Sequence, residues 1–277
     1  MTKYNIIIDN TRFDMNLIWQ IIEFRKEMPD MFRENIAKLS FYFMFPYSIW
    51  SKSKTERNYV PYENIESDLN RYEDNGCSLF FEFENTMIKP ENFNEHYVNL
   101  ILKTAKDKDV NAVVYNNELA KYIKEKYPYV KLVQSEIKRE INPIPPYDMN
   151  VVDAITYNSA KDDIQNPKSI ILAVNSFCNN SHSCANFLSS NKLNFSIEKP
   201  IQCIDKKHSF EEMRNNQLFI SNEKMQEITN EGITNFLVKS NSDDRFQLLE
   251  MYLYYLIKPE HIDIMRLRFL RACFMNR

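Results

Sequence analysis

A chain of 277 residues, 44% hydrophobic and 26% charged, has the composition of a soluble globular protein able to bury a large core. Its 35 Lys and Arg against 38 Asp and Glu give a net charge of −3, without the basic excess that nucleic-acid binding asks for. No apolar run nears the roughly 20 residues of a membrane span, and the start MTKYNIIIDN is no signal peptide. The expected setting is therefore cytoplasmic, and the expected partner a small polar substrate, with oligomeric state left open. Glycine occurs only at Gly76 and Gly232. That excludes Gly-rich phosphate loops, whose backbone amides close on a phosphate only where side chains are small. The many Asn residues are expected to take left-handed turn positions in place of glycine, since Asn tolerates positive φ.

Tyr4 to Asp9 (YNIIID) is a short apolar run bounded by polar residues, the pattern of a buried strand. A turn at Asn10 to Arg12 leads to a helix over Met15 to Lys26, which Pro29 stops. The unit repeats. Strands are predicted at Leu39 to Phe45, Cys77 to Phe83, Ala112 to Tyr115 and Val130 to Gln134, with helices at Asn64 to Tyr72, Phe93 to Lys106 and Glu118 to Lys126. The NPIPP stretch at Asn142 to Pro146 cannot be helix interior or central strand and reads as a rim loop. Strands follow at Val151 to Thr156 and Ile170 to Val174. Regular order resumes at Leu218 to Ile220, with a helix capped by Ser221 or Asn222 and ending near Gly232. Asn235 to Lys239 is the eighth strand, and Asp244 to Ile257 and Pro259 to Phe274 are closing helices.

Eight such runs, most followed by a helix, predict an α/β fold: a single-domain (β/α)8 TIM-type barrel over residues 1–277, with a cysteine-containing insertion at 176–217. An open doubly wound sheet is the alternative, but it usually has fewer strands and a Gly-rich first turn.

In such a barrel the active site forms where strands end. The candidates are Asn10, Arg12, Glu84, Asn85, Asn116, Ser135, Asn158, Asn175 and Lys239, the last beside Ser240. Arg12 suits an anion anchor because a guanidinium clamps an oxyanion with two parallel hydrogen bonds, although an ion pair with Asp9 or Asp14 serves equally. Glu82 and Glu84 are two apart on a strand and face one side, with Phe81 and Phe83 on the other. That predicts two carboxylates inside the barrel, Glu84 nearer the mouth. Buried carboxylates favour the neutral form unless paired, which suits general acid/base work; pairing with a barrel Lys or Arg is the structural alternative.

Cys178, Cys184 and Cys203 have the spacing C-x5-C-x18-C, with His182 between the first two. Thiolates and imidazole are ligands for zinc or an iron–sulfur cluster, and these four residues could supply a full set; free thiols are the equal alternative. Cys77 and Cys273 read as packing residues, as do Tyr252, Tyr254 and Tyr255, and His96, His208 and His261 read as surface or capping groups. No G-x-S-x-G or H-E-x-x-H is present, which removes the common hydrolase signatures.

NTRFDMN (Asn10 to Asn16), FPYSIW (Phe45 to Trp50), LFFEFENTMI (Leu79 to Ile88), VVYNNELAKYIKEKYP (Val113 to Pro128), VNSFCNNSHSC (Val174 to Cys184), GITNFLVKS (Gly232 to Ser240) and YLYYLIKPEH (Tyr252 to His261) together cover most of the chain. In that order they resemble barrel proteins related to the collagenase-like peptidases of the U-32 group, including members placed in cell-surface polysaccharide gene neighbourhoods. The resemblance implies a TIM-type barrel and a 4Fe–4S cluster on four cysteines, of which Cys178, Cys184 and Cys203 match the first three. No cysteine stands at the fourth position, and Ser240-Asn241 replaces the Gly-Arg pair that often follows the eighth strand. The expected function is an enzyme acting on a polar or anionic substrate at the rim, with Arg12 as anion anchor, Glu84 as acid/base and Asn85 and Asn175 as orienting groups. A cofactor-less binding subunit is the first alternative. A metal-free lyase, isomerase or glycosyl-transfer enzyme using the two glutamates is the second.

Overall fold

In the computed structural model, which describes residues 2–9, 15–44, 48–51, 62–85, 88–175, 209–240 and 244–275, eight parallel strands pair in sequence order and close on themselves. They are β1 (Tyr4–Asp9), β2 (Ile36–Met44), β3 (Ser78–Phe83), β4 (Val110–Val114), β5 (Lys131–Gln134), β6 (Met149–Val152), β7 (Ile170–Ala173) and β8 (Asn235–Val238). Closure is made by β8 against β1, with Ile7 opposite Leu237. The protein is a (β/α)8 TIM-type barrel, as the strand count predicts.

The helices α1 (Met15–Glu27), α2 (Tyr62–Asp74), α3 (His96–Thr104), α4 (Asn117–Lys126), α5 (Ala154–Ala160), α6 (Phe210–Arg214), α7 (Asn222–Asn230), α8 (Arg245–Leu256) and α9 (Ile262–Leu270) complete the described elements. None is long and apolar enough to cross a membrane.

Alternation along each strand divides the core in two. Ile7, Tyr42, Phe80, Val113, Val133, Val151, Ile171 and Leu237 pack together inside the barrel. Ile6, Ile8, Phe41, Phe81, Phe83, Ala112, Val114 and Phe236 join the larger core between strands and helices. A parallel barrel buries both faces of its strands, which is why they read as nearly continuous apolar runs. Polar residues close the lower end. Lys38 reaches the Asp109 carboxylate at 2.6 Å and the Ser78 hydroxyl donates to it at 2.5 Å.

Several boundaries differ from the sequence expectation. The second strand starts at Ile36, ahead of Leu39. The sixth runs Met149–Val152, not Val151 to Thr156, because the Asp153 side chain accepts from the Thr156 backbone N–H at 2.7 Å and starts a helix there. Between β5 and β6 the chain makes one 3-10 turn, Glu136–Lys138, and no α-helix. The NPIPP stretch lies in that connection, outside any helix or strand, and the Gln134 side chain accepts from the Ile144 N–H at 3.0 Å to hold it.

Left-handed backbone is also placed differently. Among the described residues the non-glycine positions with positive φ are Asp107 and Arg139, not asparagines. Asparagine instead staples loops through its side chain, as Asn142 does by donating to the Asp163 carbonyl and accepting from the Gln165 N–H, both at 2.9 Å. Both glycines are in positive-φ backbone, Gly76 at +66° and Gly232 at +108°. A Cβ on Gly76 would meet nothing within 4 Å, whereas one on Gly232 would lie 3.1 Å from Pro167 Cβ. Gly76→Ala is therefore expected to lower unfolding free energy by about 1 kcal/mol, and Gly232→Ala by about 2–3 kcal/mol. Urea unfolding of both variants checks the order, and equal losses would show that the Pro167 contact relaxes freely.

Candidate functional site at the barrel mouth

The C-terminal ends of β1, β2, β3, β5, β7 and β8 bring a set of polar side chains to one opening. Tyr42 lies near its centre, 8% exposed. Alternation sets Glu82 on the inner face of β3, two residues past the lumen residue Phe80, and Glu84 follows just beyond the strand end. Both glutamates are buried, at 4% and 3% exposure. Phe81 and Phe83 go outward as expected, Phe83 meeting the Trp50 ring edge-on at 5.3 Å. The inward-facing glutamate pair predicted from the sequence is present.

Three carboxylates at this opening, Glu84, Glu136 and Asp9, are held from other elements. The Ser135 hydroxyl, directly after β5, donates to Glu84 Oε1. Lys239, directly after β8, forms an ion pair with Glu136. Asp9 ends β1 and accepts from the Ser240 backbone N–H at 3.2 Å, while its carbonyl accepts from the Tyr252 hydroxyl at 3.0 Å. Burial first, then the charges of Glu84, Glu82, Asp9 and Glu136, push the Tyr42 phenol well above its ordinary range. Tyr42 thus stays protonated at any physiological pH. It is a neutral phenol in the electrostatic field of Glu84, Glu82, Asp9 and Glu136.

Asn175 is fully buried and reads the backbone of Lys239 from both sides. Its amide donates to the Lys239 carbonyl and its oxygen accepts from the Lys239 N–H, both at 2.8 Å. That contact locks the end of β7 to the end of β8 and aims the Lys239 stem. Asn85 holds the adjacent segment, its amide donating to the Ile49 carbonyl at 2.6 Å and its N–H to the Trp50 carbonyl at 3.0 Å. Glu84, Ser135, Asn175 and Lys239 therefore share the mouth, and Asn85 braces its edge.

Two candidates have other positions. Asn116 is the N-cap of α4, accepting from the Glu118 and Leu119 N–H groups at 2.9 and 3.0 Å, and its amide donates to the Ile88 carbonyl at 3.3 Å. Asn158, expected at the end of the sixth strand, is instead exposed within α5. The cause is the Asp153 cap, which ends the strand at Val152 and turns Asn158 away. Asn10, Arg12, Cys178, His182, Cys184 and Cys203 lie outside the described residues. Among the described residues no group of three or more His, Cys, Asp or Glu could hold a metal ion. Cys77 and Cys273 are buried packing thiols, and Tyr252 and Tyr255 are core residues.

Three members of the mouth are not among the sequence candidates: Asp9, Tyr42 and Glu136. Tyr42 was findable, since it shares an inward face with Ser40 in a run otherwise rich in Phe. Glu136 had no signal, because only the 3-10 turn after β5 brings it back toward Lys239.

The fold and this mouth define a TIM-type barrel with its polar groups at the strand C-termini. It is similar over its fold to the U32 peptidase Mk0906, with 15% identity, a TM-score of 0.49, and coverage of 87% of this chain and 94% of that one. It also resembles a glycerophosphoryl diester phosphodiesterase from Parabacteroides distasonis, at 12% identity and a TM-score of 0.37, covering 91% and 86% of the two chains. No protein-family model and no curated protein matches the sequence. At such identities the likeness concerns the fold, and chemistry has to be read from the mouth.

The capping geometry separates two asparagines that the sequence grouped together. Asn116→Ala is expected to cost about 1 kcal/mol of stability through the lost cap, and Asn158→Ala to stay within about 0.5 kcal/mol as a surface change. Chemical denaturation of the two variants tests this, and a silent Asn116→Ala would contradict the capping role.

Proposed function

We propose that this protein is an acid/base enzyme that admits a small polar substrate through the C-terminal mouth of the barrel. One observation carries the reading: Glu84, fixed by the Ser135 hydroxyl, shares a nearly buried site with Glu82 and the protonated Tyr42. A general acid or base works best when its orientation is set before substrate arrives and water is scarce around it. Glu84 meets both conditions. In the proposed roles Glu84 moves the proton, Tyr42 donates a hydrogen bond to a substrate oxygen, and Lys239, aimed by Asn175, offers a cation where charge develops.

A hydroxyl-rich, sugar-like molecule is the substrate class that suits a lining of carboxylates, a phenol and an ammonium, since each finds a donor or acceptor on a polyol. The test is a panel of nitrophenyl glycosides, esters and phosphodiesters. On whichever is turned over, Glu84→Gln should lower kcat by about 100-fold or more, and Tyr42→Phe by a smaller factor, with thermal unfolding unchanged. Full turnover by Glu84→Gln would remove it from the mechanism.

The cysteine-containing stretch begins directly after Asn175 in sequence. Cys178, Cys184 and Cys203 with His182 are the proposed ligands of a 4Fe–4S cluster or zinc serving the same rim. Protein purified without oxygen should carry near-stoichiometric iron with acid-labile sulfide, or zinc, and lose it on Cys178→Ala. Metal-free, folded protein would assign these residues as free thiols.

A further inference from the structure

On the outer wall, α1 and α9 lie together, Phe24 meeting Phe269 edge-on with ring centres 4.8 Å apart. Beside that contact a cavity of about 480 Å3 opens, lined by Phe24, Ile264, Leu267, Arg268, Arg271 and Ala272. The positions 264, 267, 268 and 271 are spaced i, i+3, i+4 and i+7, which is one helical face. Met265, Phe269 and Cys273, on another face, are already buried against the core. The helix thus presents apolar groups to solvent as well as to the barrel, which an ordinary surface helix does not do.

Exposure and charge add to the shape. Ile264 is 43% exposed and Leu267 63%, two of the four exposed large hydrophobics among the described residues. Arg266 is neutralised by Glu250 and Asp263. Arg268 and Arg271 make no ion pair among those given for the described residues, and both guanidiniums border the apolar groove.

We propose that this groove docks an amphipathic helix of a partner protein, one that presents aliphatic side chains flanked by carboxylates. Concavity favours inserted side chains over a flat bilayer surface, and helix-in-groove recognition uses this i, i+3, i+4, i+7 pattern. Guanidiniums at the border select carboxylates, since each binds two oxygens in parallel. The apolar floor supplies affinity and the arginines supply choice of partner.

The experiment is fluorescence anisotropy on the full chain with two labelled peptides of about five helical turns. One pairs a Leu stripe with flanking Glu, and the other carries Lys in place of Glu. The Glu peptide should bind at least about tenfold more tightly, weaken as salt rises, and lose its advantage in Arg268→Glu/Arg271→Glu. Leu267→Asp, a change at an exposed position, should abolish binding without altering the melting temperature. Equal binding of the two peptides, or none by the Glu peptide, overturns the proposal. So would binding of phosphatidylserine vesicles without peptide binding, which would mark a lipid-facing patch. Self-association abolished by Leu267→Asp would give the groove to a second copy of the chain and overturn it likewise.

Discussion

The mouth depends on the in–out alternation of β3. Phe80 and Glu82 share the lumen face while Phe81 and Phe83 pack among the helices. A slip of one residue would exchange the two sets, placing carboxylates against aliphatic side chains and phenyl rings in the lumen. Burial of a charge without partners is costly enough that such a register has no competitive population. Trp50 adds to this, because its ring meets Phe83 and its indole N–H donates to the Asn92 carbonyl at 3.1 Å. The apolar side of one strand thus fixes where the acidic side points, and the neighbours β2 and β4 follow through backbone pairing, with Met44 and Val113 both opposite Glu82.

How far the fold could be read from the chain follows from the same physics. Apolar runs with period two survive any detail of packing, so all eight strands and the barrel were legible. Their ends were less so. The sixth strand looked longer because Ala154 to Thr156 continues an apolar-tolerant pattern, and the Asp153 side chain overrides it by capping a helix. That single hydrogen bond is why Asn158 left the rim. Asn116 shows the converse: its place after β4 was read correctly, but its donors and acceptors serve the adjacent helix. Position along a strand says which residues reach the mouth; only the local hydrogen bonds say which are still facing it.

Asparagine does much of what glycine does elsewhere, though by another route. With two glycines in the chain, tight left-handed turns are scarce, and loops are held by side-chain amides instead. Asn175 binding both backbone groups of Lys239, Asn85 binding Ile49, and Asn150 donating to the Glu140 carbonyl are of this kind. Asn175 satisfies an acceptor and a donor at once, and so removes two polar groups from the list that burial would otherwise leave unpaired. Rim asparagines in this protein are therefore positioning groups before they are ligands.

The connection after β5 is where this positioning matters most. A regular unit would insert a helix there and carry the chain away from the opening. Here a single 3-10 turn follows, and Ser135 both accepts from the Ile137 N–H at 3.3 Å and donates to Glu84. One residue later Glu136 meets Lys239 from the far side of the barrel. The short turn therefore links the ends of β3, β5 and β8 through two side-chain contacts, across strands that are not neighbours in the sheet. The Glu84 carboxylate is nearly dry, so its end of the link cannot shift without stranding a charge, while the Lys239–Glu136 pair is part-buried. Rigidity at the opening comes from these polar cross-links, and the omitted helix is what makes room for them.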